Sequence, residues 1–201
     1  MRNGSERAFP GDAIYEDINH DGVINENDIV YLGNANPKLI GGGGFQLKYK
    51  DFTLTTFFYG RFGQKVINKA RMNLESMYGT NNQSTAVLHR WRSEGDETDI
   101  PRALYGMGFN YLGSDRFVED ATFVRLKTLS LSWNVPKALL KKLNWGVSRA
   151  NVFITGYDLF TWTSYKGQDP EVSLPAATKL VEDNATTPVS KRFAFGLTLN
   201  F

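Results

Sequence analysis

Alternation of apolar and polar residues starts at Gly42. Phe45, Leu47 and Tyr49 alternate with Gln46, Lys48 and Lys50. After Asp51 the pattern resumes, with Phe52, Leu54 and Phe58 on one face and Thr53, Thr55, Phe57 and Tyr59 on the other. Two such runs joined at Lys50-Asp51 predict a tight hairpin of strands 42–50 and 52–61. A third strand is predicted over 122–135, where the phase slips. Val124 and Leu126 share one face while Leu129, Leu131 and Trp133 take the other. A bulge near Lys127-Thr128 would reconcile the two phases. A fourth strand, 146–157, places Val152 and Ile154 opposite Asn151 and Thr155. The cleanest alternation closes the chain over 192–201, with Phe193, Phe195, Leu197, Leu199 and Phe201 on one face.

The connections alternate in length. The first two strands are about two residues apart, and the third and fourth about ten. The segments 62–121 and 158–191 run to roughly 60 and roughly 34 residues, against a usual loop median of about 5. Short turns at one end and long loops at the other characterise outer-membrane barrels, and strands of about 10 residues cross hydrocarbon at a tilt. The fold class expected is therefore all-β: about five C-terminal strands of a large antiparallel transmembrane β-barrel with long extracellular loops. In that topology the last strand runs inward and residues 1–41 form an extracellular loop. Five strands cannot close a wide barrel, and open edges in hydrocarbon leave backbone groups unpaired. The chain is thus expected to be a piece of something longer, or to pair with more protein. The alternative is a soluble, secreted, calcium-stabilised carbohydrate-binding β-sandwich, whose strands are usually shorter and more evenly spaced.

Composition narrows the function classes. The 201 residues carry 23 Lys and Arg against 21 Asp and Glu. That balance offers no basic face for nucleic acid. The absence of cysteine excludes disulfides, thiolate metal sites and thiol catalysis. Two histidines, His20 and His89, are too few for a His-rich metal site. No apolar run reaches the length of a membrane helix, which leaves barrel strands untouched. The N-terminus has no apolar stretch of a signal peptide, so the chain is either cytosolic or begins partway through a longer protein.

One segment does carry metal chemistry. From Asp17 to Asp28 the sequence DINHDGVINEND follows the spacing of a twelve-position calcium loop. Asp17, Asn19 and Asp21 supply side-chain oxygens, and Gly22 permits the sharp turn. Val23 offers its carbonyl, Asn25 ligates directly or through water, and Asp28 stands where a bidentate Glu is common. The shorter Asp28 predicts a weaker or less regular site. His20 is expected to face solvent. A single loop without a partner suggests structural Ca2+ in a calcium-replete medium; the plain alternative is an Asx-rich turn without metal.

Other signals are weaker. Gly41 to Gly44 lack the following Lys and helix of a phosphate loop and read as a flexible strand entrance. Glu94, Asp96, Glu97 and Asp99 read as a solvated loop. No nucleophile elbow is present, so no enzyme activity is expected. Trp91, Tyr105, Tyr111, Trp162 and Tyr165 fall in the predicted outer loops, where they could contact sugars or a partner, or pack among themselves.

Four stretches in order carry a resemblance. They are Asp17 to Asp28 with Leu32-Gly33, Asn36-Pro37 and Gly41-Gly42; Ser114 to Lys127 (SDRFVEDATFVRLK); Asp158 to Glu171 (DLFTWTSYKGQDPE); and the terminal strand ending in Phe201. The chain resembles the C-terminal part of SusC/RagA-type TonB-linked outer-membrane proteins of Bacteroidetes. The family often has Asn where this chain has Asp158. The resemblance implies a 22-stranded barrel in the cell outer membrane. It also implies import of glycans or peptides with a SusD-like lipoprotein, and energy from the TonB complex. It further implies that this stretch alone transports nothing.

Overall fold

In the computed structural model the described residues are 2–3, 6–143, 146–173 and 181–201. Residues 174–180 of the predicted loop 158–191, and 144–145 of the connection before the fourth predicted strand, lie outside them. The elements are β1 (Arg2–Asn3), β2 (Glu6–Arg7), β3 (Val23–Ile24), β4 (Leu39–Tyr49), β5 (Phe52–Phe62), β6 (Lys65–Asn68), α1 (Lys69–Leu74), β7 (Val118–Asp120), β8 (Phe123–Asn134), α2 (Lys137–Leu143), β9 (Arg149–Thr163), β10 (Glu182–Asp183) and β11 (Arg192–Asn200). Among the described residues no helix is long and apolar enough to cross a membrane, a statement that does not bear on strands.

The chain divides into two units. The strand unit comprises Asn36–Gln64, Asp120–Ser173 and Thr186–Phe201. It is built on one antiparallel sheet in the order β11-β9-β8-β5-β4. Because the side-chain period of a strand is two, cross-strand partners share a face. One row reads Tyr49, Phe52, Trp133, Val152, Leu197. The next reads Leu47, Leu54, Leu131, Ile154, Phe195, and the third Phe45, Thr56, Leu129, Gly156, Phe193. These rows form a continuous apolar face, and it is open: Leu47 is 59% and Phe195 77% exposed. The other face is mainly polar, with rows such as Gln46, Thr55, Ser130, Thr155, Ala194, and it also carries Phe57, Phe123 and Phe153. Gln46 Nε2 donates to Thr55 Oγ1 at 3.2 Å, and the Ser130 and Thr155 hydroxyls meet at 2.7 Å.

The phase slip has the cause the pattern predicts. The register shifts between Phe57 and Phe58 on β5, and between Leu126 and Thr128 on β8, leaving Lys127 as the extra residue. Val124 and Leu126 thereby return to the apolar face. On β9, Asp158 and Leu159 stand opposite the same bulge, and Asp158 takes a left-handed φ of +53°. Asn and Asp tolerate that region best among residues with a Cβ.

Three boundaries differ from expectation by three residues or more. The strand predicted over 146–157 is β9, which starts at Arg149 and continues past the bulge to Thr163. The polar Asp158 reads as a turn in sequence, yet its left-handed backbone carries the strand onward. Trp162 consequently lies on β9, paired with Val124 on the apolar face, and not in an outer loop. Likewise β4 begins at Leu39, so Gly41 to Gly44 are strand interior and not an entrance to it. A Cβ on Gly44 would sit 2.1 Å from the Thr56 carbonyl oxygen, so this close approach requires glycine.

The loop unit comprises Met1–Ala35, Lys65–Glu119 and Leu174–Ala185. The long segment 62–121 is not structureless. It contains β6, α1, β7 and two single turns at Thr85–His89 and Asp115–Phe117. Its core is small, with Val66, Met77, Val87, Phe117 and Val181 buried. β6 takes β10 and β7 on its two sides, and β1 pairs with both β2 and β3.

Candidate functional site

The densest charged constellation lies on the polar face of the strand unit, beside the bulge. Arg125 is only 3% exposed. Its Nη1 donates to Glu171 Oε2 at 2.7 Å, its Nη2 to Asp169 Oδ1, and its Nε to Thr161 Oγ1 at 2.8 Å. Lys127 Nζ lies 3.0 Å from Glu171 Oε2 and 3.1 Å from Asp158 Oδ1. Arg61 donates to the Tyr59 hydroxyl at 2.9 Å and to the Val172 carbonyl at 3.0 Å. Three cations (Arg61, Arg125, Lys127) thus meet three anions (Asp158, Asp169, Glu171), and the cluster neutralises itself.

Its mechanical effect is to bind the segment after β9 to the wall. Asp169 accepts the backbone N–H of Glu171 at 2.8 Å and that of Val189 at 3.1 Å. One carboxylate therefore joins both ends of the excursion between β9 and β11 and anchors them to β8. Burial alone would raise the Asp169 carboxyl, but the two N–H groups and the Arg125 guanidinium outweigh it and hold the group below the usual 3.8.

Polar knots also organise the loop unit. The Asp12 carboxylate receives Arg102 Nε at 2.7 Å, Arg102 Nη2 at 3.0 Å, Asn110 Nδ2 at 3.1 Å and the Phe9 N–H at 2.8 Å. Burial opposes ionisation, but these donors win and lower its pKa. A lowered carboxyl stabilises the fold above its unfolded pKa, and that stability is lost as pH falls through the lowered folded value. Acidification below 3.8 is accordingly expected to release this knot, and Asp12→Asn to abolish that step; hydrogen exchange at the Phe9 amide, held by Asp12, and at the Ala13 amide, held by Asn110 Oδ1 at 2.8 Å, reads both. A second knot joins Arg71 Nε to Glu75 at 2.9 Å, Arg71 Nη1 to Glu119 at 3.0 Å, and Arg116 Nη2 to Glu75 at 2.7 Å. Tyr15 donates to the Phe109 carbonyl at 2.8 Å, and burial pushes its hydroxyl up to about 12.

The calcium-type loop is wound by its own side chains. Asp17 Oδ2 accepts the Gly22 N–H at 2.7 Å and Oδ1 that of Asp21 at 3.2 Å. Gly22 has φ +83°. Asn19 Oδ1 and Asp21 Oδ1 each accept the N–H two residues on, and Asn25 Oδ1 does the same for Asn27. Asp28 closes the loop by accepting from Ile18 and Asn25, and the Asn25 N–H before other contacts holds its carboxyl low. Among the described residues no three Asp, Glu, Cys or His groups converge to metal-holding distance; here the carboxylates hold amides. The donor set of Asp17, Asn19, Asp21, the Val23 carbonyl, Asn25 and Asp28 is nonetheless oxygen throughout, on a loop already turned at Gly22. That chemistry fits a hard cation. His20 is exposed.

The remaining candidates separate. Glu94, Glu97 and Asp99 are exposed, and Asp96 caps the Arg92 and Ser93 amides. Trp91 packs over Gly11, Tyr111 lies against Tyr78 at 4.4 Å between centroids, and Tyr165 is buried. Of the four aromatics that remain in loops, Tyr105 is the most open, at 70% exposed. The Arg61, Arg125, Lys127, Asp158, Asp169 and Glu171 cluster was not legible as a site in the sequence. The available signal was two cations flanking a phase slip, Arg125 and Lys127, with an acidic Asp-Pro-Glu in the following loop.

No protein-family model matches the chain. The TonB-dependent receptor P3 of Formosa agariphila is 28% identical over 198 residues, covering 96% of this chain and 19% of that protein. The TonB-dependent receptor P26 of the same organism is 35% identical over 164 residues, covering 81% of this chain and 16% of that protein. Among solved structures, the RagAB peptide transporter superposes with a TM-score of 0.68 at 28% identity, over 83% of this chain and 18% of that one. The RagAB peptide importer in its closed-closed state gives 0.67 at the same identity. The chain thus spans less than a fifth of the length of these relatives.

Proposed function

Because the chain belongs to the TonB-dependent receptors, proteins of the outer membrane, we propose that it forms the C-terminal wall and outer loops of a SusC/RagA-type importer of large nutrients. The observation that carries this reading is the sheet itself: an exposed apolar face backed by a polar one, over strands of 9 to 15 residues. The apolar rows face acyl chains, and their ends carry aromatic residues suited to the membrane interfaces. On the short-turn side stand Tyr49, Phe52 and Trp133, with Phe52 and Trp133 stacked at 6.1 Å. On the long-loop side stand Phe58, Phe160 and Trp162, with centroids 6.2 to 6.4 Å apart. β4 and β11 each pair on one side only within this sheet, and the neighbouring barrel strands of the full protein satisfy their free edges. The polar face lines the passage. The work is transport and not bond chemistry.

A soluble carbohydrate-binding sandwich would need the same rows packed into an interior, and their exposure disfavours it. The RagAB neighbours favour peptides over glycans as the cargo, with a SusD-like lipoprotein as lid and the TonB complex as energy source. Disrupting the gene in its host and measuring uptake of labelled peptides and oligosaccharides tests this. Loss of peptide uptake, together with co-purification of a surface lipoprotein, is expected. Uptake of both cargoes unchanged would overturn it.

The calcium-type loop belongs to the same reading. Asp17, Asn19, Asp21, Val23, Asn25 and Asp28 hold a structural Ca2+, which stiffens an extracellular loop in a medium where calcium is abundant. Chelation is expected to make the chain around 17–28 protease-sensitive. Ca2+ should restore protection where Mg2+, which demands stricter octahedral geometry, does not. Asp21→Ala should be sensitive throughout. Protection that is indifferent to chelator would leave an Asx turn without metal.

A further inference from the structure

The acidic residues of this chain are distributed unevenly. None occurs between Asp120 and Asp158, while the same stretch carries Arg125, Lys127, Lys137, Lys141, Lys142 and Arg149. Arg125 and Lys127 are consumed by the cluster on the polar face. The three lysines of α2 are different. All are exposed, and among the described residues none of them makes an ion pair.

Their position gives that charge a meaning. α2 begins four residues after Trp133, whose aromatic row lies near the short-turn end of the apolar face. It packs against β9, and both Leu140 and Ala150 are buried. Ala150 shares the apolar face with Val152, two residues along the strand. Leu139 is 44% exposed. On the other short turn, Lys50 lies 5.3 Å over the Tyr49 ring, in the same row. A short helix with an apolar anchor and unpaired lysines, set one step beyond the last acyl-facing row, stands at headgroup depth.

We propose that Lys137, Lys141 and Lys142 form a docking surface for anionic phospholipid headgroups of the periplasmic leaflet. The proposal rests on the barrel reading for its depth in the membrane. Charge complementarity names the occupant: a row of exposed ammonium groups that make no ion pair among the described residues attracts lipid phosphates that carry net negative charge, and zwitterionic headgroups far less.

The test uses the full-length outer-membrane protein that carries this chain. It is reconstituted in phosphatidylethanolamine vesicles, with phosphatidylglycerol as the sole anionic lipid, and spin-labelled phosphatidylglycerol and phosphatidylethanolamine compete for its surface. The native protein is expected to prefer phosphatidylglycerol by on the order of fivefold. K137Q/K141Q/K142Q should lose most of that preference, and K137R/K141R/K142R should keep it. Raising salt on the native protein provides a measurement that needs no variant; the preference should fall as screening increases. Insertion with no preference, or a preference unaffected by the Gln substitutions and by salt, overturns the proposal alone. Failure of the native protein to enter vesicles overturns the barrel reading and this one with it.

Discussion

Arg125→Met is expected to loosen the segment 164–173 from the wall and to cost about 3–5 kcal/mol, the range for removing one partner of a buried ion cluster. The guanidinium is 3% exposed and is shared by Asp169, Glu171 and Thr161. Removing it leaves Glu171 with Lys127 and with Arg61, the latter 4.0 Å away, and leaves Asp169 with the Glu171 and Val189 amides. Hydrogen exchange at the Glu171 and Val189 amides, both held by Asp169, should accelerate together, because one carboxylate fixes both. The same substitution should raise the Asp169 carboxyl. In the native chain its depressed pKa contributes stability above the unfolded carboxylate value, lost as pH falls through the folded one. In the variant that loss should begin at a higher pH. Protection of both amides unchanged in Arg125→Met would mean that the loop is held by something other than this cluster.

The second large effect separates two adjacent residues. Phe45→Arg places a guanidinium in the central row of the acyl-facing side, where charge costs roughly 2–4 kcal/mol at the bilayer midplane. Gln46→Arg, one position along the same strand, points to the polar side and should change stability by less than about 1 kcal/mol. Both are measured by denaturant unfolding of the full-length protein from lipid vesicles. Equal penalties at the two positions would deny that the faces meet different solvents.

Much of the wall was readable because a period of two survives any tertiary context that buries one face and wets the other. The faces assigned to Phe52, Leu54 and Phe58, to Val152 and Ile154, and to Phe193 through Phe201 are those of the sheet. The bulge was readable too, since Val124 and Leu131 cannot share a side without an extra residue between them. What failed were boundaries set by residue character. Asp158 reads as a strand terminator because its polarity signals a turn, whereas here its left-handed backbone stands opposite the bulge and carries the strand onward. The glycines at 41–44 read as slack because nothing in composition reveals how near another strand's backbone comes at Gly42 and Gly44. The ion cluster was hidden for a different reason: Arg61, Arg125 and Glu171 are distant in sequence, and only register and a folded-back loop bring them together. The calcium-type loop is the converse case, with its spacing complete in twelve consecutive residues.

The surplus residue at Lys127 makes the length of β8 a protected quantity. Deleting it would slide 123–126 by one place and exchange their sides. Val124 and Leu126 would turn to the polar side of the sheet, and Arg125 would be delivered, stripped of Asp169 and Glu171, onto the apolar face. Substitutions along this strand other than at Arg125 can be absorbed one at a time, but a single lost codon here inverts a third of it, so lineages carrying this wall should vary in residue identity at the remaining positions of 123–128 far more readily than in residue number.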